Sequence, residues 1–224
     1  MKADSKIAKE IKAISATLPQ GVTLIAISKY HPAEAVMEAY EAGQRDFGES
    51  KAQDLTKKHD MLPKDINWHF IGHLQSNKIK YIAPFIHLIH SIDSYKLLQE
   101  VDRHAGKNSR TINCLLQIHI AEEESKFGFT PEELKTMLAE GSWCELQHVR
   151  IRGVMCMASN TDNEEQIERE FSAVSGLFKE IKEKYFNGDE AFDTFSAGMS
   201  DDYPIAIKHG STHIRVGSRI FSNQ

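Results

Sequence analysis

Cysteine is scarce in this chain: Cys114, Cys144 and Cys156 are its only three, with no Cys-x-x-Cys pair and no Cys/His spacing of the zinc-site kind. That excludes a disulfide-stapled fold and leaves reduced thiols, the usage of a cytoplasmic protein. Cys114 and Cys156 lie in apolar runs and are expected in the core. Histidine is plentiful, but no HExxH or comparable pattern occurs, so no metal site is expected. No apolar run approaches the ~20 residues of a membrane-spanning helix. Residues 1–18 mix Lys, Asp and Glu with apolar residues at helical spacing, which predicts a surface helix rather than a signal peptide. Lys and Arg form no block and the net charge is -5, so neither a nucleic acid nor a membrane surface is an expected partner.

What is present is a large apolar fraction, 41%, spread over 224 residues without a linker-like change of composition. One domain spanning residues 1–224 is expected, although two small ones would also fit the length. Strand-like and helix-like periods alternate from end to end. Strands are predicted at 22–29, 45–48, 67–72, 87–92, 111–120, 149–157, 192–196 and 213–216. Helices are predicted at 32–42, 50–60, 76–82, 94–105, from 131, at 164–185 and at 201–209. A polar loop, 121–128, precedes Thr130-Pro131-Glu132-Glu133, which reads as a capped helix start with proline in its first position. Eight strands with helices between them predict a single (β/α)8 TIM barrel with an extra N-terminal helix; an open, doubly wound sheet is the alternative.

Chemistry in such barrels collects at the C-terminal ends of the strands. Lys29 ends the first apolar run, so its amine stands at the mouth, where partial loss of water would lower its pKa and free it to attack an aldehyde. A lysine that merely ends a strand in water is the plainer reading. Gly48-Glu49-Ser50 and Gly72-His73-Leu74-Gln75 end the second and third strands. The segment from Ser196 to Asp202 reads as a strand end, a glycine turn and a helix start with Ser200 as N-cap, a place where N–H groups can hold a phosphate. Gly217-Ser218 closes the last strand and opens a short helix, a common phosphate position in barrels. Arg215 alternates with Ile214 and Val216; if those pack outward, the arginine points inward and needs an acceptor, in a ligand or in a buried ion pair. An amine, a phosphate cradle and an arginine at one mouth fit a phosphorylated aldehyde, of which pyridoxal 5′-phosphate (PLP) is the common cofactor. A phosphosugar enzyme with Lys29 as an aldolase-type amine would use the same groups.

Stretches along nearly the whole chain resemble one family. They are 26–32 (AISKYHP), 42–49 (AGQRDFGE), 68–78 (WHFIGHLQSNK), 124–128 (ESKFG), 152–155 (RGVM), 198–202 (GMSDD) and 210–221 (GSTHIRVGSRIF). The family is the pyridoxal phosphate homeostasis proteins, single-domain PLP binders similar to the barrel domain of alanine racemase and of eukaryotic ornithine decarboxylase. The resemblance implies the type III PLP fold, with PLP as an internal aldimine on Lys29. It implies that Ser200, Gly217 and Ser218 hold the phosphate with Met199 beside them, and that Arg215 faces the pyridine nitrogen. Ser50 would lie near the ring. Here Glu49-Ser50-Lys51 stands where the family usually has Glu-Asn-Tyr, which removes an amide able to hydrogen-bond near the cofactor.

An arginine at the pyridine nitrogen disfavours ring protonation and leaves a weakly activated cofactor. The related racemases compensate with bases on both faces, one of them from a second domain of a partner subunit, and a barrel takes up all of this chain. The expectation is therefore a cytoplasmic, monomeric PLP binder of vitamin B6 homeostasis. It would buffer PLP or deliver it to PLP-dependent apoenzymes, with little or no turnover; an amino-acid racemase is the alternative. His69 is expected either near the ring or as a hydrogen-bonded core histidine. Glu122 to Lys126 reads as a charged loop on the same rim, and Lys78 and Lys80 as surface lysines.

Overall fold

The short, branched runs form eight strands: β1 (Thr23–Ile27), β2 (Asp46–Glu49), β3 (Asn67–Phe70), β4 (Leu88–Ile92), β5 (Ile112–Ile118), β6 (Val149–Cys156), β7 (Thr194–Ser196) and β8 (His213–Val216). They are seen in a computed structural model that describes residues 5–120 and 127–221. Each strand pairs in parallel with the next. β8 pairs back onto β1, from Thr23 opposite His213 to Ala26 opposite Val216. That closure is the expected barrel and rules out the open sheet. Around it lie α1 (Lys6–Thr17), α2 (Ala33–Glu41), α3 (Ala52–Met61), α4 (Ile79–Ile82), α5 (Tyr95–Lys107), α6 (Pro131–Glu140), α7 (Glu164–Tyr185), α8 (Tyr203–Lys208) and α9 (Ser218–Phe221). α6 has the expected reciprocal cap, with Thr130 accepting from the Glu133 N–H and Glu133 accepting from the Thr130 N–H.

One helix start differs from its reading. The N-cap position of α8 falls on Asp202, not Ser200, and the Asp202 side chain makes no capping bond to the helix. Asp202 Oδ1 accepts from the Met199 N–H at 2.5 Å, which folds residues 199–202 into a turn of their own before the helix begins. The charged loop Glu122 to Lys126 lies outside the described residues. Among those described, no helix is long and apolar enough to cross a membrane. The three cysteines are free thiols, Cys114 and Cys156 buried as expected and Cys144 exposed.

Outward strand residues such as Ala26, Phe47, Trp68, Val154, Phe195 and Ile214 merge with the apolar helix faces into one core. The interior of the barrel is built differently. Its apolar part includes a small cluster of Leu88, Leu115 and Met155, with Met157 packed against it, and buried Ile25 and Ile27 of β1. His69, His90, Gln117, Ser196 and Arg215 are also buried. Barrel interiors are ordinarily filled by layers of branched aliphatic side chains. Polar filling costs stability unless each group is partnered.

This interior makes the fold sensitive to acid. Burial lowers the pKa of His213 from 6.5 to about 4 and holds that of His90 well below its ordinary value. Both rings are neutral in the fold, and the unfolded chain takes up protons first as pH falls. Stability is therefore unaffected above about pH 6.5 and is lost on the way down to about pH 4. Chemical denaturation should show a loss of about 3 kcal/mol from His213 alone between pH 7 and pH 4, with His90 adding to it. A flat profile across that window would contradict a neutral, buried His90 and a neutral, half-buried His213.

Candidate functional site

A cavity of about 380 Å3 opens at the C-terminal ends of the strands, and Lys29, Ser50, Met199, Ser200, Arg215, Gly217 and Ser218 all line it. The seven residues expected to hold the cofactor thus reach one place. Ile27, Ile71, Gly72, Met157 and Asp201 complete the lining.

Lys29 stands two residues past β1, and its position is set by Ser28, which is fully buried. The Ser28 N–H donates to the Gly48 carbonyl at 3.0 Å, and its hydroxyl donates to Glu49 Oε1 at 2.6 Å. Its carbonyl accepts from Lys58 Nζ at 2.8 Å and from the His31 N–H at 3.1 Å. Lys58 also forms an ion pair with Glu49, both side chains being buried. Ser28 is thus a fixed post from which the chain turns. Tyr30 takes φ +69°, the left-handed region that a bulky residue rarely enters. Backbone strain of this kind collects at functional sites. The loss of water inferred for Lys29 is not found: the residue lies on this turn beyond the strand, and its side chain is exposed. Its Nζ is 5.9 Å from the centre of the Tyr30 ring.

Opposite lies a corner rich in donors. Gly198 has φ +94°, and a Cβ there would sit 2.7 Å from Tyr203 Cα, so only glycine lets this turn fold down on α8. The turn brings Ser200 beside the start of α9. Ser200 Oγ accepts from Ser218 Oγ at 2.9 Å and lies 3.4 Å from the Gly217 nitrogen. Because Asp202 takes the capping position, the Ser200 hydroxyl is left for this contact. The N–H groups of Ser200 and Asp201 donate to no acceptor among the described residues. Two hydroxyls and unused backbone N–H groups suit an anion, although the exposed Asp201 carboxylate stands in the same lining.

Arg215 points inward while Ile214 and Val216 pack outward, as the alternation requires. It is 4% exposed. Nη1 donates to Ser196 Oγ at 2.7 Å and Nη2 to the Cys156 carbonyl at 2.8 Å. No carboxylate pairs with it among the described residues, so the buried ion pair is not its explanation. Burial lowers its pKa, yet a guanidinium stays charged at neutral pH. A buried cation with only neutral acceptors beside it is costly, and an electron-rich ligand atom in the cavity would offset that cost. Ser50 and Gly72 close the remaining side; a Cβ on Gly72 would collide with the Ser50 carbonyl.

His69 proves to be a core histidine, hydrogen-bonded between Asp46 and His90. His73 stacks on Phe127 at 3.7 Å and meets Asp93 at 3.1 Å. Lys78 and Lys80 sit beside the Tyr81 ring, away from the cavity. The sequence reading missed the Ser28–Glu49–Lys58 support and the acceptors of Arg215. Nothing in the chain's order pairs Lys58 with Glu49 or Ser196 with Arg215. His90, a polar residue inside the apolar run Leu88-Ile89-His90-Ser91-Ile92, was the visible sign of a polar interior.

Barrel, strand-end lysine and inward arginine together define a protein of the alanine racemase barrel type: the family model for the alanine racemase N-terminal domain matches residues 4–223. A pyridoxal phosphate homeostasis protein of Haemophilus influenzae is 38% identical over 203 residues, which cover 89% of this chain and 84% of that protein. PipY of Synechococcus elongatus, solved with PLP bound, is 36% identical with a TM-score of 0.88, covering 96% of this chain and 100% of that one. Its structure without PLP has a TM-score of 0.90 at the same identity and coverage. The chain belongs to the pyridoxal phosphate homeostasis protein family. Alanine racemase of Enterococcus faecalis shares the fold alone: at a TM-score of 0.74 and 14% identity, the match covers 98% of this chain but 58% of the racemase.

Proposed function

We propose that this chain binds PLP in the cavity at the barrel mouth, holding it covalently on Lys29, and serves to buffer or deliver the cofactor rather than to turn over a substrate. The observation that carries the reading is the meeting, in one cavity of cofactor size, of an amine, a hydroxyl-lined anion corner and a buried arginine without a carboxylate partner. The bound cofactor supplies an aldehyde that condenses with an amine, with loss of water. The chain's own residues do the rest. Ser28 and its buried ion pair fix where Lys29 starts. Ser200, Gly217 and Ser218 take the phosphate with Met199 beside them, and Ser50 borders the ring. Arg215 meets the pyridine nitrogen and keeps it unprotonated, because two positive charges would otherwise stand close. Ile27, Ile71 and Met157 supply apolar contact.

The racemase alternative needs a second base. No tyrosine, histidine or cysteine is among the described residues that line the cavity, and the carboxylate there, Asp201, is exposed beside the anion corner. The reading takes residues 1–224 as one PLP-binding barrel domain, acting as a monomer in the cytoplasm with PLP-dependent apoenzymes as recipients. PipY, whose structure contains PLP, supports it.

The test is direct. Protein mixed with PLP is reduced with borohydride, digested and mapped by mass spectrometry. The expected adduct lies on the peptide carrying Lys29. An adduct on another lysine, or none, refutes the reading, and steady turnover of an amino acid would refute the claim of a carrier.

A further inference from the structure

Asp46, His69, His90 and Ser196 do not line the cavity, yet they are joined to it. Arg215 Nη1 donates to Ser196 Oγ at 2.7 Å, and Ser196 Oγ lies 3.0 Å from His90 Nδ1. His90 Nε2 lies 2.9 Å from His69 Nδ1, and His69 Nε2 lies 3.1 Å from Asp46 Oδ1. β4 and β7 are not neighbours in the sheet, so the series crosses the interior of the barrel. It runs from the end of β8, at the mouth, to the opposite rim, where Asp46 opens β2.

The chemistry of its two ends fixes the direction. A guanidinium only donates, so Ser196 accepts from Arg215 and still has its own proton to give. A carboxylate only accepts, so His69 carries a proton on Nε2. A neutral imidazole has a single N–H, so with both rings neutral His69 Nδ1 accepts from the His90 Nε2–H, and His90 Nδ1 accepts from the Ser196 hydroxyl. The assignments made from the two ends meet on the same hydrogen. Every donor in the series then has an acceptor, which is the condition for a buried polar network to hold. Burial, reinforced by the Arg215 guanidinium, keeps the His90 ring neutral. Burial also pushes the Asp46 carboxyl up, but hydrogen bonds from His69 and Asn67 outweigh it and leave the group below its ordinary value, hence ionised.

We propose that Asp46, His69, His90 and Ser196 are positioning residues, a one-way hydrogen-bond relay that orients the Arg215 guanidinium toward the cavity and shares its charge with a carboxylate on the far rim. The proposal rests on the reading that Arg215 meets the pyridine nitrogen of PLP. Nη1 and Nη2 each use a hydrogen on the barrel wall, which fixes the plane of the fork and leaves the other N–H groups for the ligand. A carboxylate placed directly against Arg215 would compete for those N–H groups and repel the phosphate. A relay partners the cation while keeping the balancing anion out of the cavity.

Two measurements test it. In the chain without PLP, nitrogen-15 NMR of the histidines should find His69 and His90 neutral, each with its proton on Nε2. A proton on Nδ1 of His90, or an imidazolium at His69, reverses the donors and overturns the relay. In the PLP-loaded chain, His90→Leu should release PLP about tenfold faster, and the visible absorption band of the bound cofactor should move. Asp46→Asn, which keeps the side-chain shape at the partly exposed end, should move the band in the same direction. Variants that only lower the melting temperature, with band and release rate unchanged, show a packing role and overturn the proposal. If the unaltered chain takes up no PLP, the proposed function fails by itself, and the tautomers still decide whether the relay exists.

Discussion

Lys29→Ala should abolish the covalent PLP adduct completely. The reason is the inventory of amines at the mouth. Among the described residues Lys29 is the lysine that lines the cavity; Lys58 is engaged with Glu49 and the Ser28 carbonyl, and Lys51 lies over the Tyr30 ring, outside the lining. The variant keeps the anion corner and Arg215, so weak, non-covalent uptake of PLP should survive with the absorbance of a free aldehyde. Absorption spectra and mass spectrometry after borohydride reduction decide the matter. A reduced adduct in the variant, on Lys51 for instance, would mean that the mouth offers a second amine and that Lys29 is not the required one. The fold should be untouched, since Lys29 is exposed and its backbone is held through Ser28.

The largest effect on stability should come from Lys58→Ala. Lys58 and Glu49 have side-chain exposures of 9% and 1%, and the same carboxylate accepts the Ser28 hydroxyl. Removing the cation strands a buried carboxylate and leaves the Ser28 carbonyl without its side-chain donor, a loss of about 3–5 kcal/mol. The double variant Glu49→Gln with Lys58→Met should recover most of it, because replacing both charges removes the desolvation cost along with the attraction. Urea denaturation of the three proteins measures this. A loss below about 1 kcal/mol for the single variant would place the pair among solvent-screened surface bridges. The same single variant should loosen Ser28 and so slow the formation of the Lys29 adduct, linking the stability of a pair behind the barrel wall to chemistry in front of it.

Local patterns carried further than their length would suggest. A strand period with branched residues, and a helix period with capped starts, depend on neighbours a few residues away; they predicted eight strands and a closed barrel. The alternation of Ile214, Arg215 and Val216 fixed which side chain turns inward, since successive strand residues face opposite sides. The glycine turns at Gly198 and Gly217 marked the anion corner for the same local reason. Errors arose where a neighbour in space changed a local preference. Ser200 has the chemistry of an N-cap, but the helix begins at Tyr203, past a turn in which Asp202 accepts from the Met199 N–H. Lys29 looked half-buried because it ends an apolar run, but the turn at Tyr30 carries it into water.

The amino-acid order by itself thus determined the barrel and the set of residues at its mouth, because backbone period and strand-end position are short-range properties. Only the tertiary structure decided what supports them. Ser28 meets Glu49 and Lys58 from 21 and 30 residues away, and His90 meets Ser196 from 106 away. Such pairings are made by barrel closure, which brings distant inward side chains within hydrogen-bonding distance in a space that excludes water. There each polar group must find a partner among whatever the opposite strands present.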